Sequence, residues 1–475
     1  MLEKREFYIN GKWVAPAKAN DLAVIDPSTE EQCAVISLGS EADTNAAVAA
    51  ARAAFDGWSQ TSKEERTKLI KKLLEIYNAR SEEMAQAMSM EMGAPIDMSR
   101  SSQVGAGSWH MEGFLKAFED FSFERDFTST EKTLLEPIGV CALITPWNWP
   151  MNQIVLKAVP ALATGCTMVL KPSEIAPLSA LLFAEFVHEA GFPAGVFNLV
   201  NGDGPGVGSQ LSAHPDVDMV SFTGSTRAGI AISKAAADTL KRVSLELGGK
   251  GANIIFEDAH PKAAKMGAIK CFGNSGQSCN APTRMLVHKS RYDEAVEMAA
   301  EVANNTHVGP ASDAGKHIGP VVSETQFKKI QGLIEKGMAE ARLVAGGLGR
   351  PDGLNRGYYV KPTVFADVNN DMTIAREEVF GPVLSIIPFE SEEEAIAIAN
   401  DTPYGLTNYI QTEDQEKRRR VARRVRSGMV ETNGKGFAQG SPFGGYKQSG
   451  NGREGGVYGL EEFLEVKAVS GWAAE

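Results

Sequence analysis

Ile138-Gly139-Val140-Cys141-Ala142-Leu143-Ile144 is an unbroken run of apolar and small residues, and Thr145-Pro146-Trp147-Asn148-Trp149-Pro150 ends it at once. The run is too short for a buried helix, and its lack of alternation predicts a strand covered on both faces. The pattern repeats downstream. Met151 to Leu162 has helical spacing despite Pro160, and Thr167-Met168-Val169-Leu170 is again a strand. A helix over Ser179–Ala190, stopped by Gly191, leads to the strand Val196–Val200. A short helix near Gly206–Ala213 precedes the strand Met219–Phe222. A helix over Ser225–Leu240 precedes the strand Arg242–Leu247. Continuous apolar strands alternating with helices predict an α/β fold with a doubly wound, Rossmann-type parallel sheet. Such sheets bind ligands beyond the carboxyl ends of their strands. The chemistry is therefore to be sought in Thr145–Pro150, Lys171–Glu174, Gly202–Gly208 and Thr223–Ser225.

Outward from this core, Phe7-Tyr8-Ile9 and Lys12-Trp13-Val14 flank an Asn10-Gly11 turn signal. Residues 41–121 read as helical, with Ala46, Ala47, Ala50 and Ala54 in register and Ser40 and Ser62 as N-caps. Residues 122–136 suit a hairpin. A second α/β region follows Gly248-Gly249, with helices expected at Asp258–Phe272, Ser290–Thr306 and Ser323–Gly337 and a strand at Thr283–Val287. The tail reads as a short helix and a strand at Leu464–Ser470.

At 475 residues the chain suggests more than one core. Its net charge of −12 disfavours nucleic acid and anionic membranes as partners. The basic run Lys417–Arg420, continued by Arg423, Arg424 and Arg426, lies at helical spacing and reads as a solvated face. No apolar run reaches the roughly 20 residues of a membrane span. Met1–Glu6 is charged and has no signal-peptide character. Five cysteines without a C-x-x-C pair point to a reducing, cytoplasmic setting. The seven histidines show no metal spacing, so no metal is expected.

Six stretches can carry chemistry. Cys279 sits among small and polar residues in Asn274-Ser275-Gly276-Gln277-Ser278-Cys279, as a reactive thiol would, although a lone cysteine is more often structural. Cys271, among apolar neighbours, reads as core. Glu246, at the end of an apolar strand before Gly248-Gly249, is placed for burial to raise its pKa, which suits a general base; an ion pair with a nearby cation is the alternative. Asn148 offers a neutral amide donor for an oxyanion, or is simply a turn residue. Phe222-Thr223-Gly224-Ser225 is a strand–turn–helix junction of the anion-binding kind. Gly202–Gly208 is Gly-rich but not a G-x-G-x-x-G, and Lys171-Pro172-Ser173-Glu174 can contact ribose hydroxyls or form a surface ion pair.

Together and in this order, the motifs resemble the NAD(P)-dependent aldehyde dehydrogenase superfamily over nearly the whole chain. The likeness rests on Pro146–Pro150, Phe222–Ser225, Leu245–Lys250 and Gly276–Cys279, and further on Glu377–Pro382 and Ser441–Lys447. It implies Cys279 as nucleophile, forming a thiohemiacetal and then a thioester. Asn148 would hold the oxyanion, Glu246 would activate the hydrolytic water, and Glu454 would join a proton relay. Cofactor contacts would fall on Thr145, Pro146, Trp147, Lys171, Ser173, Glu174, Gly204, Phe222, Thr223, Gly224, Ser225, Leu247, Glu378 and Phe380. The substrate wall would comprise Trp149, Asn152, Gln153, Leu156, Ser278 and Phe437, with Gly273 and Asn280. Its polar character suggests a polar or bulky aldehyde.

A carboxylate at Glu174 would accept from a ribose 2′-hydroxyl and repel a 2′-phosphate, so NAD is expected over NADP. The resemblance also implies an NAD-binding domain (1–121 with 141–247), a catalytic α/β domain (248–443) and a small β oligomerisation unit (122–140 with 444–475). A homodimer or homotetramer follows. Three rivals stand beside this reading. A CoA-acylating enzyme needs no hydrolytic base, so Glu246 argues against it. A cysteine hydrolase needs a histidine base, but His260 and His288 carry no motif. A non-catalytic relative would have lost Cys279, Glu246 or Asn148.

Overall fold

The computed structural model describes residues 1–472. The strand quoted first, Val140–Ile144, lies inside an eight-stranded sheet. Across the sheet the order is Gly450–Asn451, Arg242–Glu246, Met219–Thr223, Val140–Ile144, Thr167–Lys171, Phe197–Leu199, Phe7–Ile9 and Lys12–Val14. The five central strands are parallel, while the short flanking ones are antiparallel. The chain leaves Val140–Ile144 toward one side for two strands, then returns to its other side for Met219–Thr223. That reversal is the topological switch point, where a crevice opens at the carboxyl ends. Register brings Lys171, Ile144, Phe222 and Leu245 abreast, so the residues that follow them share one rim.

Packing explains the alternation. The helix Pro150–Thr164 begins with Pro at its first position, where no N–H is needed, and ends at Gly165 with φ +94°. Pro160 is accommodated within it. Its apolar residues join the largest core with Met88, Phe114, Phe183 and Leu170. Leu156 belongs to that core. The hairpin Phe7–Val14 turns at Asn10 and Gly11, whose φ values of +52° and +74° are those a two-residue turn of this hand demands.

The second sheet has seven strands, in the order Arg342–Ala345, Thr363–Ala366, Val383–Phe389, Arg284–His288, Ala252–Ile255, Thr407–Gln411 and Met429–Thr432. All pairs but the first are parallel. The helix expected from Asp258 starts only at Ala263, because Phe256–Ala259 turns and Pro261 cannot supply a helical N–H. The helix with the basic run, Gln415–Arg424, is capped by Asp414, and Arg420 and Arg424 pair with Glu392 and Glu393 on its outer face. A three-stranded sheet joins Leu464–Ser470, Glu131–Pro137 and Glu124–Asp126. Among the described residues no helix is long and apolar enough to cross a membrane.

Candidate active site

The loop before Cys279 is built from left-handed residues. Asn274, Ser275 and Gly276 have φ of +51°, +55° and +73° in succession. Such backbone is unfavourable for non-glycine residues and persists only when the surroundings enforce it. Here they do. Ser275 Oγ donates to Gly319 O at 2.7 Å, and Gln277 Oε1 accepts from Val322 N at 2.9 Å. Asn274 Nδ2 donates to Asn148 O at 3.0 Å and to Gln277 O at 3.2 Å. A Cβ on Gly276 would stand 2.0 Å from Gly381 O, so no side chain fits there.

The same network positions Asn148. Its Nδ2 donates to Gln277 O at 3.0 Å, and its carbonyl also accepts from Gln103 Nε2 at 3.2 Å. An asparagine amide carries two N–H groups, and one suffices for Gln277. The other has no protein partner. Next in the chain, Trp149 Nε1 donates to Ser278 Oγ at 2.8 Å, which ties the Asn148 turn to the Cys279 turn a second time.

Asn148, Cys279 and Glu246 line one cavity of about 220 Å³, with Thr223, Gly224 and Phe380 around them. Glu246 is buried, and neither of its carboxylate oxygens has a hydrogen-bond partner among the described residues. Burial, and then the nearby Glu454 carboxylate, push its pKa well above the ordinary value. Gly444 makes room for it, since a Cβ there would lie 2.6 Å from Glu246 Oε1. Glu454 forms a buried ion pair with Lys157, held by the reciprocal backbone bonds between Phe443 and Glu454 at 2.8 Å. The ion-pair alternative for Glu246 is thus not the arrangement found; the lysine pairs with Glu454. Burial, followed by Glu246, Glu378 and Glu454, raises the Cys279 thiol, while the Asn280 backbone N–H opposes the rise. The resting sulfur is therefore a thiol that needs a proton acceptor.

The cavity continues along the strand ends. Thr145 Oγ1 and Thr223 Oγ1 are buried without partners, on either side of the switch point. Such groups call for a polar ligand or water. Trp147 and Phe380 meet edge to face at 5.4 Å, Phe380 with φ +56°, and Glu378 Oε1 accepts from Gly249 N at 2.9 Å. Ser225 caps the helix Thr226–Ala236 by accepting from Ala228 N at 3.3 Å. That helix starts at the cavity, where its free N–H groups favour an anion. Leu247 packs where a Cβ on Gly229 would come within 2.9 Å, so the helix sits close on the sheet. Two strands over, Lys171 Nζ donates to Gly202 O at 2.6 Å and Pro172 O at 2.9 Å, with Glu174 Oε2 at 3.5 Å. Ser173 Oγ accepts from Ile175 N, and Gly204 opens the turn that Asp203 caps. Nothing lies within 4 Å of where a Gly204 Cβ would be. Orphaned hydroxyls, a helix N-terminus and open glycine backbone fit a dinucleotide.

The expected wall residues Trp149, Asn152, Gln153, Leu156, Ser278 and Phe437 do not line this cavity. Leu156 and Gln153 are buried inside the helix layer, and Phe437 is 42% exposed on the loop that Gln439 ties to Trp109 O at 2.7 Å. Arg284 is fully buried and spends its guanidinium on Lys250, Ile398 and Ala399 carbonyls and on Asn370. His260 and His288 bond only locally, to Lys262 N and to Ser290. Four residues escaped sequence reasoning: Gln103, Lys157, Gln326 and Lys329. Gln326 and Lys329 line the cavity, and Gln326 Nε2 donates to Phe380 O at 2.8 Å. Both belong to the helix Glu324–Glu340, where polar residues one turn apart look like any solvated face.

A model described as the aldehyde dehydrogenase family matches residues 13–469. The chain belongs to the aldehyde dehydrogenase family. It is 53% identical over 475 residues to a 3-succinoylsemialdehyde-pyridine dehydrogenase of a Pseudomonas species, covering 99% of both chains. An aldehyde dehydrogenase of Bartonella henselae superposes with TM-score 0.99 at 60% identity, over 99% of this chain and 100% of that one. A variant of aldehyde dehydrogenase C from Pseudomonas syringae, solved with NAD+ and octanal, gives TM-score 0.98 at 50% identity, over 99% and 97%. This aldehyde dehydrogenase is thus an NAD(P)-dependent oxidoreductase acting on aldehydes.

Proposed function

We propose that this aldehyde dehydrogenase oxidises its aldehyde to the free carboxylic acid, with NAD as acceptor and Cys279 as nucleophile. The observation that carries the reading is Glu246: a buried carboxylate with both oxygens unpaired, facing the cavity that holds Cys279 and Asn148. Cys279 adds to the aldehyde carbon as its thiol proton passes to the Glu246 carboxylate and on toward Glu454, and the free Asn148 N–H with the Cys279 backbone N–H stabilises the oxyanion. Bound NAD would supply the hydride acceptor; Thr145, Thr223, Ser225, Lys171, Glu174, Glu378 and Phe380 are the groups suited to hold it. Glu246 takes a proton from water as that water attacks the Cys279 thioester, which releases the acid and regenerates the thiol. Glu454, paired with Lys157, is the next proton site.

Glu174 supports NAD over NADP, because it would repel a 2′-phosphate. The free cysteines support a cytoplasmic setting. Sheet membership supports the three-part division: residues 1–121 with 141–247 carry most of the eight-stranded sheet and a three-stranded one, 248–443 the seven-stranded sheet, and 122–140 with 444–475 the sheet of Leu464–Ser470, while Gly450–Asn451 reaches back to the first. The strand Leu464–Ser470 leaves one edge open, with Val466 69% exposed, and a homodimer or homotetramer formed by strand addition would cover it. For the substrate, the named relatives supply two starting points: octanal and a pyridine-bearing semialdehyde. The test is product analysis over an aldehyde panel with NAD or NADP. Free acid, NAD preference and indifference to CoA are expected, with turnover lost in Cys279→Ala. A CoA-dependent acyl-CoA product would overturn the reading.

A further inference from the structure

The residue after the nucleophile is held by groups that do not line the Cys279 cavity. Ser278–Ala281 is a tight turn, closed by Ala281 N donating to Ser278 O at 3.0 Å, with Cys279 and Asn280 as its central residues. The Cys279 carbonyl lies against Gly249, where a Cβ would come within 2.6 Å. The Asn280 carbonyl accepts from the Tyr409 hydroxyl. A carbonyl oxygen only accepts, so the hydroxyl proton is committed to this bond. With both carbonyls held, the Asn280 N–H keeps its direction toward the Cys279 sulfur. Burial and the carboxylates Glu246, Glu378 and Glu454 all disfavour the thiolate, and that N–H is the group that opposes them.

Tyr409 is itself braced. It is buried in the strand Thr407–Gln411, and Glu431 stands directly beside it in the next strand, Met429–Thr432. Lys270 Nζ lies 4.5 Å from the centroid of the Tyr409 ring and donates to Glu431 Oε2 at 2.5 Å. The ring face attracts the cation, and the carboxylate anchors it there. Lys270 sits in the last turn of the helix Ala263–Phe272, which runs into Gly273 and the left-handed Asn274-Ser275-Gly276. One tyrosine therefore clamps the nucleophile loop at both ends, through Lys270 at its start and through Asn280 at its finish.

We propose that Tyr409, braced by the Lys270–Glu431 pair, is a positioning residue that keeps the Cys279 turn in the form that directs the Asn280 N–H at the sulfur. That hydrogen bond stabilises the negative charge that develops on sulfur as the thiol proton leaves. The inference rests on the reading of Cys279 as nucleophile and goes beyond it by naming what prepares the thiol.

The test is Tyr409→Phe, which keeps the ring and removes only the hydroxyl. Alkylation of Cys279 by iodoacetamide, followed by peptide mass spectrometry, should slow about tenfold, the order of one hydrogen bond to a charged group. The kcat/KM for octanal with NAD should fall by a similar factor, while the Kd for NAD stays within about twofold. A loop that had only loosened would expose the thiol and speed its alkylation. Lys270→Met should slow alkylation about threefold, and Lys270→Arg, which keeps the cation and its ion pair, should restore the wild-type rate. The two lysine variants decide the matter if Tyr409→Phe fails to fold. Unchanged or faster alkylation, or a loss of NAD affinity in step with kcat/KM, would overturn the proposal. If Cys279→Ala still oxidises octanal, the nucleophile reading fails instead, and the alkylation rates alone decide whether Tyr409 positions the thiol.

Discussion

Asn148 and Glu246 show how much a single side chain's surroundings decide. Asn148 is locked through Gln277, Asn274 and Gln103, which leaves one N–H without a partner among the described residues, in a side chain that lines the cavity. Asn148→Ala should lower kcat about 10²- to 10³-fold, with a much smaller change in NAD affinity, in steady-state kinetics beside cofactor titration. An equal loss of NAD binding would mean that Asn148 only shapes the turn. Glu246 makes a pH prediction. Its folded-state pKa is raised, first by burial and then by Glu454. Its contribution to stability is therefore complete below the unfolded carboxylate range and is lost as pH rises through the folded value. Glu246→Gln removes that loss. Melting temperatures of variant and wild type should converge near about pH 5 and separate, the variant higher, toward about pH 9. Parallel curves would show that Glu246 is not a strained buried acid. The burial of Glu246 was legible from its place at a strand end before two glycines. The lysine in this cluster was not, since Lys157 lies within an apolar helix and meets Glu454 only in three dimensions.

At the scale of elements, strands and turns were more legible than helix starts. The Asn10-Gly11 hairpin and the strand Leu464–Ser470 follow from local chemistry, and both stand where their residues predict. The helix after Phe256 starts later than its apolar periodicity predicts, because that periodicity runs through a turn that only Pro261 betrays. The π-turn Ser99–Gln103, which delivers Gln103 to Asn148, has no sequence signature at all. The Cys279 loop is the element on which the site depends. Gly276 is left-handed and hemmed in by Gly381 O. Gly276→Ala should cost upwards of about 1 kcal/mol in stability and shift the whole loop. The check is alkylation of Cys279 by iodoacetamide at matched folded fraction, which should change rate in the variant and not in a surface control. An unchanged rate would show that the loop tolerates a Cβ.

On the whole-molecule scale, the two sheets do different work. The eight-stranded sheet supplies Thr145, Thr223, Glu246 and the helix starting at Thr226. The seven-stranded region supplies Cys279, Glu378 and Phe380, and the 441–456 segment crosses back to set Gly444 and Glu454 against Glu246. Neither half holds the proposed set of reacting groups alone. The alternation of strands and helices made this two-sheet plan readable, whereas the crossing segment lies far from both in sequence. The most direct measurement is intact-protein and peptide mass spectrometry of Glu246→Gln after mixing with NAD and octanal. The mechanism predicts one NADH per subunit in a burst and an acyl adduct on the peptide containing Cys279, formed only when both reactants are present. No adduct, an adduct on another residue, or steady turnover equal to the wild type would contradict it.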